Sequence, residues 1–173
     1  MNLAKEESSG KLRALKKIDK SKLLEKETRV SSLINEIRAL RLAKYIPGVV
    51  SLMEVRETDN SIYLILEYVE GQELFDLDSI TEVPYAKRII LIESLTKTLA
   101  SLSKLNIVHK DLKPSNIISD GKSIKILDFG LGFCLNNTVY PINQTAGTPG
   151  FLAPEITKCK ETLIHQGTPC FNT

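Results

Sequence analysis

The alternation of apolar and polar residues near the start of the chain predicts a short strand. In residues 11–20 the apolar positions Leu12, Ala14 and Ile18 fall on one side of an extended segment. A Ser-Gly pair at 9–10 is typical of the turn that precedes such a strand.

The next segment has helical spacing. Its apolar residues recur three or four positions apart between 29 and 44, which predicts an amphipathic helix. The apolar positions are Val30, Leu33, Ile34, Ile37 and Leu40. Pro47-Gly48 ends this helix. Beyond it the pattern predicts two strands, at 49–56 and 61–68, joined by a turn at 58–60.

The second half of the chain predicts one long helix followed by short strands. Residues 85–105 place Ile92, Leu95, Leu99 and Leu102 on one helical face. Short β-like segments follow at 107–108, 117–118 and 124–127. Strands with one helix come first, and helical structure with short strands comes afterwards. This order predicts an α+β domain with two unequal lobes joined near Glu67 to Glu73.

Composition excludes several classes of protein. The chain has 173 residues, 42% of them hydrophobic and 25% charged, and a net charge of +2. These values are typical of a globular domain, and so small a charge does not predict nucleic acid or a membrane as a partner. No apolar window is long enough to span a bilayer, and residues 1–10 are too polar for a signal peptide. The three cysteines form neither a disulfide framework nor a zinc pattern, so we expect an intracellular, cytoplasmic location.

Candidate chemistry is concentrated between Val108 and Gly130. This stretch contains His109-Lys110-Asp111-Leu112-Lys113-Pro114-Ser115-Asn116, then an apolar strand, then Asp128-Phe129-Gly130, and Ala153-Pro154-Glu155 follows. The three motifs resemble the catalytic loop H-R-D-L-x-x-x-N, the D-F-G motif and the closing A-P-E of eukaryotic-type protein kinases. The resemblance implies a bilobal protein-kinase-like fold and phosphoryl transfer from ATP.

The resemblance assigns roles to four residues of these motifs. Asp111 would accept the proton of the substrate hydroxyl, and Lys113 would stabilise charge on the transferred phosphoryl group. Asn116 and Asp128 would hold Mg²⁺, which prefers oxygen ligands.

The nucleotide contacts are assigned in the same way. Ala14-Leu15-Lys16 resembles the V-A-I-K strand, so Lys16 would bind the ATP phosphates and pair with Glu36 on the helix. Lys17 is the alternative to this lysine and Glu27 the alternative to this glutamate. The stretch from Leu64 to Gly71 resembles the family's hinge. It implies adenine contacts by the backbone at Glu67 and Val69, a ribose contact by Glu73, and Leu66 at the back of the pocket.

Asp111-Leu112-Lys113-Pro114 and Gly147-Thr148-Pro149 resemble the Ser/Thr class, so protein Ser/Thr hydroxyls are the expected substrate. Three alternatives stay open: a catalytically inactive fragment that acts as a binding or regulatory module, a small-molecule kinase, and an incomplete reading frame. The Lys-Pro pair and the A-P-E motif favour protein substrates over small molecules.

The chain also departs from the family pattern. A G-x-G-x-x-G loop is absent, so we expect an N-lobe without the Gly-rich loop at 1–66, a hinge at 67–73 and a partial C-lobe at 74–155. Residues 156–173 form an atypical tail without the expected later helices, and the chain has no Trp. Lys110 replaces the usual arginine, which keeps the charge and loses a two-pronged contact.

Overall fold

The computed structural model describes residues 2–7, 9–74, 84–135, 141–142, 146–154, 156 and 162–163. The first part of the chain builds a four-stranded antiparallel sheet with strand order β1-β2-β4-β3. The strands are β1 (Asn2–Lys5), β2 (Leu12–Asp19), β3 (Leu52–Glu57) and β4 (Ser61–Glu67). The strands expected at 11–20, 49–56 and 61–68 are thus present.

Two helices lie between β2 and β3 in the chain. They are α1 (Lys20–Leu24) and α2 (Glu27–Leu42). The sequence pattern predicts α2, whereas α1 has only five residues, too few to show a helical period.

The buried face of α2 differs from the expected one at a single position. Leu33 and Leu40 are buried, but Ile34 is 59% exposed. Two residues between these leucines are also buried, Ala39 at 0% exposure and the charged Glu36 at 4%. The prediction that Ile34 belongs to the core face is wrong. Its side chain points about 100° around the helix from Leu33, outside the stripe that meets the sheet.

The second part of the chain begins with β5 (Gln72–Glu73) and continues with α3 (Tyr85–Lys104). Short strands follow: β6 (Ile107–Val108), β7 (Ile117–Ser119), β8 (Ile124–Ile126), β9 (Phe133–Cys134), β10 (Pro141–Ile142) and β11 (Thr162–Leu163). They form the sheets β5-β7-β8, β6-β9 and β10-β11. A 3₁₀ turn at Pro114–Asn116 precedes β7. The expected helix and short strands are confirmed within one residue or so at their ends.

Helix α3 buries a slightly different face from the expected one. Thr98 and Leu102 are buried, and Leu91, Leu95 and Leu99 pack against the core, as their spacing requires. Ile92 is 59% exposed, so its predicted place on the core face is wrong. The buried stripe runs through Leu91, one position earlier. None of the helices in the described ranges is both long and apolar enough to cross a membrane.

The segment between α2 and β3 joins the two parts of the chain. Val50 N donates to Ile126 O at 3.0 Å, and Ile126 N donates to Gly48 O at 2.8 Å. One hydrophobic cluster continues across this junction, with Ala39 and Leu40 on one side and Ile124 and Ile126 on the other. The junction places α2 and β2 close to the loops around β8. The division at 67–73 stays a prediction.

We expect Gly48→Ala to destabilise the protein by about 1–3 kcal/mol, the usual cost of overpacking. An added Cβ would stand 1.9 Å from Thr98 Oγ1 and 2.9 Å from Thr98 Cβ, on the buried face of α3. Urea unfolding of the single variant and of Gly48→Ala/Thr98→Ala measures the effect. The double variant is expected to recover part of the free energy of unfolding that Gly48→Ala loses. A double variant destabilised by the sum of the two separate substitution effects would contradict the contact.

Candidate active site

The backbone is strained at both central motifs. Among the described residues other than glycine, only Asn106, Lys110 and Asp128 have positive φ, of 56°, 66° and 51°. Such conformations are held only where the surroundings impose them, and they concentrate at functional sites. Two of the three residues lie in the motifs that the sequence singles out.

His109 connects the two motifs. Its ring is buried, with Nε2 2.8 Å from Leu127 O, and its Nδ1 accepts from Asp111 N at 3.3 Å. A neutral imidazole protonated at Nε2 satisfies both contacts. The ring of Phe129, which is fully buried, meets it edge-on with 4.8 Å between centroids. Burial lowers the pKa of His109, although nearby groups oppose this. The histidine therefore stays neutral and holds Asp111 beside the strand that leads to Asp128.

This buried histidine predicts a pH dependence of stability. Because the folded pKa of His109 is below its ordinary value, the unfolded chain binds the proton first as pH falls. Stability is therefore complete above about pH 6.5 and decreases as pH falls below it, by at most about 1.4 kcal/mol per pH unit. Urea unfolding between pH 5 and 8 should show this slope, and His109→Gln should reduce it. The other histidine, His165, lies outside the described residues, so His165→Gln is the control. An unchanged slope in His109→Gln would contradict the assignment.

Asp111 is surrounded by donors. Its Oδ1 accepts from Thr148 N at 2.8 Å and from Thr148 Oγ1 at 2.7 Å. Lys113 Nζ lies 3.1 Å from Asp111 Oδ2 and donates to Thr148 Oγ1 at 2.6 Å. Desolvation by burial would raise the pKa of Asp111, but the bonds from Thr148 and Lys113 outweigh it and lower the pKa. The carboxylate is therefore ionised and held in one orientation.

Asn116 is held next to Asp111. Its Nδ2 donates to Asp111 O at 2.8 Å and to Asp111 Oδ2 at 3.3 Å. Its backbone oxygen accepts from Leu127 N at 2.8 Å. With its amide nitrogen engaged, Asn116 keeps its side-chain oxygen as an acceptor beside the residue that precedes Asp128.

Lys16 bridges two carboxylates from distant parts of the chain. Its Nζ lies 2.6 Å from Glu36 Oε1 and 2.8 Å from Asp128 Oδ1. Desolvation opposes the charge on Lys16, but the two carboxylates outweigh it and raise the pKa of this ammonium. Burial raises the pKa of Glu36, and the charge of Lys16 opposes that rise. We treat both side chains of the Lys16–Glu36 pair as charged at neutral pH. Their atoms lie within hydrogen-bond distance, 2.6 Å, and the positive charge of Lys16 favours the carboxylate form of Glu36.

The alternatives to this pair lie elsewhere. Lys17 points to the other face of β2, is exposed, and contacts Asp19 at 3.3 Å. Glu27 is the exposed first residue of α2. Neither reaches the cluster around Lys16.

Asp128 also contacts its own motif. Its Oδ1 accepts from Gly130 N at 3.3 Å in addition to Lys16. Burial would raise the pKa of Asp128, but the ammonium of Lys16 outweighs it and lowers the pKa. Its second carboxylate oxygen remains available as a ligand.

A cavity of about 140 Å³ lies between the sheet and β7–β8. Its lining is mainly apolar and also includes four charged residues. The lining residues are Ala14, Lys16, Glu36, Leu40, Val50, Leu66, Glu67, Tyr68, Val69, Ile118, Leu127 and Asp128. Leu66 is 4% exposed and closes the inner wall. The apolar lining suits a flat aromatic group, and Lys16 and Asp128 supply charged groups to the same cavity.

Not every predicted residue reaches this cavity. Glu73 is exposed in β5 and does not line it. A wider cavity of about 560 Å³ shares Lys16 and Glu36 but extends between β2, α1 and α2, where charged and hydroxyl side chains predominate. We favour the smaller cavity for a planar apolar group because of its lining. Glu155 lies outside the described residues.

Comparisons with known proteins agree with this geometry. A family model described as "Protein kinase domain" matches residues 1–166. Serine/threonine-protein kinase DCLK3 of Homo sapiens is 43% identical over 150 residues, which covers 83% of this chain and 22% of that protein. Serine/threonine-protein kinase cds1 of Schizosaccharomyces pombe is 35% identical over 174 residues, covering 96% and 37%. The chain therefore belongs to the protein kinase domain family, and its relatives place it by family among the serine/threonine kinases.

The chain spans only part of these relatives' length, 22% of the first and 37% of the second. The family implies ATP and a divalent metal ion. The donor set near Asp128 fits such an ion. Asp128 and Asn116 could each offer a side-chain oxygen atom, and a Mg²⁺ site of one or two protein oxygens completed by phosphates and water is common.

Several contacts of the site were not predicted from the sequence. Lys16 contacts Asp128, and Thr148, singled out in the sequence only for its resemblance to the Ser/Thr class, contacts Asp111 directly. The contact of Lys125 with Glu67 was not anticipated at all. The only sign of this contact in the sequence is a lysine between two isoleucines. In the structure these isoleucines, Ile124 and Ile126 of β8, are both buried.

Proposed function

We propose that this chain transfers the γ-phosphoryl group of Mg·ATP to the hydroxyl of serine or threonine in a protein substrate. The observation that carries the proposal is the bridge of Lys16 to both Glu36 and Asp128, at 2.6 and 2.8 Å. It joins residues 20 and 112 positions apart in the chain into one charged cluster beside an apolar cavity. Such an arrangement suits a nucleotide with a flat aromatic base and anionic phosphates.

The adenine ring would occupy the smaller cavity. Backbone groups at Glu67 and Val69 would meet its polar edge, because both residues line the cavity where β4 ends. Leu66 limits its depth. The Lys16 ammonium would then face the α- and β-phosphates, held in place by Glu36.

Asn116 and Asp128 would hold Mg²⁺ through their side-chain oxygens. The ion neutralises negative charge on the phosphates when it is bound. The bonds that Asn116 and Asp128 already make to Asp111, Lys16 and Gly130 limit their rotation. Preorganised ligands lose little freedom on binding, which favours affinity.

Asp111 and Lys113 would act at the acceptor side. The ionised carboxylate of Asp111 orients the substrate hydroxyl and accepts its proton. Lys113 Nζ, 3.1 Å from that carboxylate, offers positive charge to the phosphoryl group in transfer. Thr148 bridges both residues and lies in the loop that would face the protein substrate. We place this activity in the cytoplasm on the sequence grounds given above.

The test is phosphoryl transfer to degenerate peptides with Ser, Thr or Tyr as the fixed acceptor. The purified chain with Mg·ATP should label the Ser and Thr sets and not the Tyr set. Removal of the metal with excess EDTA should abolish labelling, and added MgCl₂ should restore it. Binding of Mg·ATP without transfer to any peptide would refute the proposal and indicate a nucleotide-binding regulatory module instead.

A further inference from the structure

Lys125 of β8 makes two polar contacts, one of them with Glu67 at the edge of the smaller cavity. Its Nζ lies 2.6 Å from Glu67 Oε1 and donates to Val49 O at 3.1 Å. Both side chains of the ion pair are about one-quarter exposed, at 25% and 26%. The lysine therefore touches the end of β4 and the segment that follows α2 at the same time.

The carboxylate of Glu67 makes a second contact, with the segment that precedes β3. Its Oε1 also accepts from Ser51 N at 2.7 Å, while Glu67 N donates to Ser51 O at 2.9 Å. The pairing of β3 with β4 is irregular just beyond this point, between Leu52 and Glu54. The side chain of Glu67 thus replaces a regular sheet contact and holds the end of β4 in place.

The strand that carries Lys125 is itself rigidly placed. Its neighbours Ile124 and Ile126 are 1% and 0% exposed. Ile126 forms backbone hydrogen bonds with Gly48 and Val50, and the strand leads within two residues to Asp128. A displacement of Lys125 would therefore be felt at Asp128.

We propose that Lys125 is a positioning residue for nucleotide binding, which it promotes by fixing the hinge backbone at Glu67–Val69 relative to Asp128. This inference rests on the proposed function, because it assumes a nucleotide in the smaller cavity. One ligand must meet the hinge with its base, and its phosphates must meet the Mg²⁺ ion that Asp128 would hold. Holding the two contacts at a fixed separation lowers the cost of forming both together. Lys125 joins them from outside the cavity and is not among the residues that line it.

The test compares Mg·ADP affinity by calorimetry in Lys125→Met, Lys125→Arg and Lys122→Met. Lys122 is an exposed lysine in the turn before β8, so its variant is the matched control. We expect Lys125→Met to weaken binding about three- to tenfold, the scale of one typical intramolecular hydrogen bond. Lys125→Arg should retain most of the affinity, and Lys122→Met should match the wild type. In transfer assays Lys125→Met should raise KM for ATP more than it lowers kcat.

Two further measurements separate positioning from mere stability. Glu67→Gln and Lys125→Met should be non-additive in Mg·ADP affinity, because they remove the same ion pair. Hydrogen exchange at the Ser51 amide should be faster in Lys125→Met, and bound Mg·ADP should slow it in the wild type. If Lys125→Met does not fold, the effect of Mg·ADP on Ser51 exchange in the wild type and the Glu67→Gln affinity still decide the question. A lower melting temperature with unchanged affinity in Lys125→Met would overturn the inference. A wild type that binds Mg·ADP but transfers no phosphate would overturn the proposed function alone.

Discussion

Asp111→Asn is expected to lower kcat for peptide phosphorylation by about 10²–10⁴-fold, the usual contribution of a positioned general base. The amide is nearly the same size as the carboxylate, so it keeps the place between Thr148 and Lys113. It can neither accept the substrate proton nor carry the charge that Lys113 neutralises at 3.1 Å. Since Asp111 does not line the nucleotide cavity, KM for ATP should change by less than about threefold.

Steady-state kinetics with a Ser-containing peptide measure both constants. Asp120→Asn is the matched control, because Asp120 is an exposed aspartate whose Oδ1 accepts from Lys122 N and Ser123 N in a turn. Its variant should retain wild-type kcat. An Asp111→Asn chain with wild-type kcat would remove Asp111 from the reaction, whereas loss of Mg·ATP binding would indicate a structural role instead.

Lys16→Met is expected to lower both stability and nucleotide affinity. It leaves the carboxylates of Glu36 and Asp128 close together without their shared ammonium. Glu36 is only 4% exposed, and removing one partner of a buried ion pair costs about 3–5 kcal/mol. Because Asp128 is about half exposed and Lys16 one-quarter exposed, we expect a value toward the lower end of this range.

The physical cause can be tested with Glu36→Gln. The amide carries no charge, so Lys16→Met/Glu36→Gln should be more stable than Lys16→Met alone. The single variant should also be less unstable at lower pH. Burial raises the pKa of Glu36, and without Lys16 nothing opposes that rise, so the folded state takes up the proton first. The stability that protonated Glu36 contributes to Lys16→Met is therefore present below the pKa of Glu36 in the unfolded chain. It is lost as pH rises through the pKa of Glu36 in the folded variant.

Lys17→Met is the matched control for these measurements, since Lys17 is the exposed neighbour of Lys16 and forms an ion pair with Asp19. Its free energy of unfolding should stay within about 0.5 kcal/mol of the wild type, as for most surface changes. Urea unfolding at pH 5.5 and 7.5 and calorimetry of Mg·ATP binding are carried out on four chains. They are the wild type, Lys16→Met, Lys16→Met/Glu36→Gln and Lys17→Met. Equal losses in Lys16→Met and Lys17→Met would contradict the role of the bridge.

Local sequence pattern was sufficient for most elements of the fold. Strands β2, β3 and β4, helices α2 and α3, and the short strands β6, β7 and β8 follow from apolar spacing of period two or near 3.6, whereas β1 was not predicted. The errors at Ile34 and Ile92 have one cause. Several neighbouring positions of an amphipathic helix are apolar, and the packing partner decides which of them it covers.

The motifs were sufficient to name most residues of the site, for a similar reason. A catalytic loop and a strand-end aspartate need particular residues at short spacing, because their chemistry depends on side chains held by one local turn. Asp111, Lys113 and Asn116 could therefore be named from the sequence, and their hydrogen bonds to one another lie within five residues. The neutral state of His109 could not, because it depends on burial.

The family, the order of the elements, the residue types of the site and the pairing of Lys16 with Glu36 could all be inferred from the sequence. Three other contacts could not be inferred from it: Lys16 with Asp128, Thr148 with Asp111, and Lys125 with Glu67. These partners are separated by 37 to 112 positions along the chain. A long-range ion pair depends on strand register and on how two sheets pack, and both are set by many small apolar contacts rather than by any local pattern.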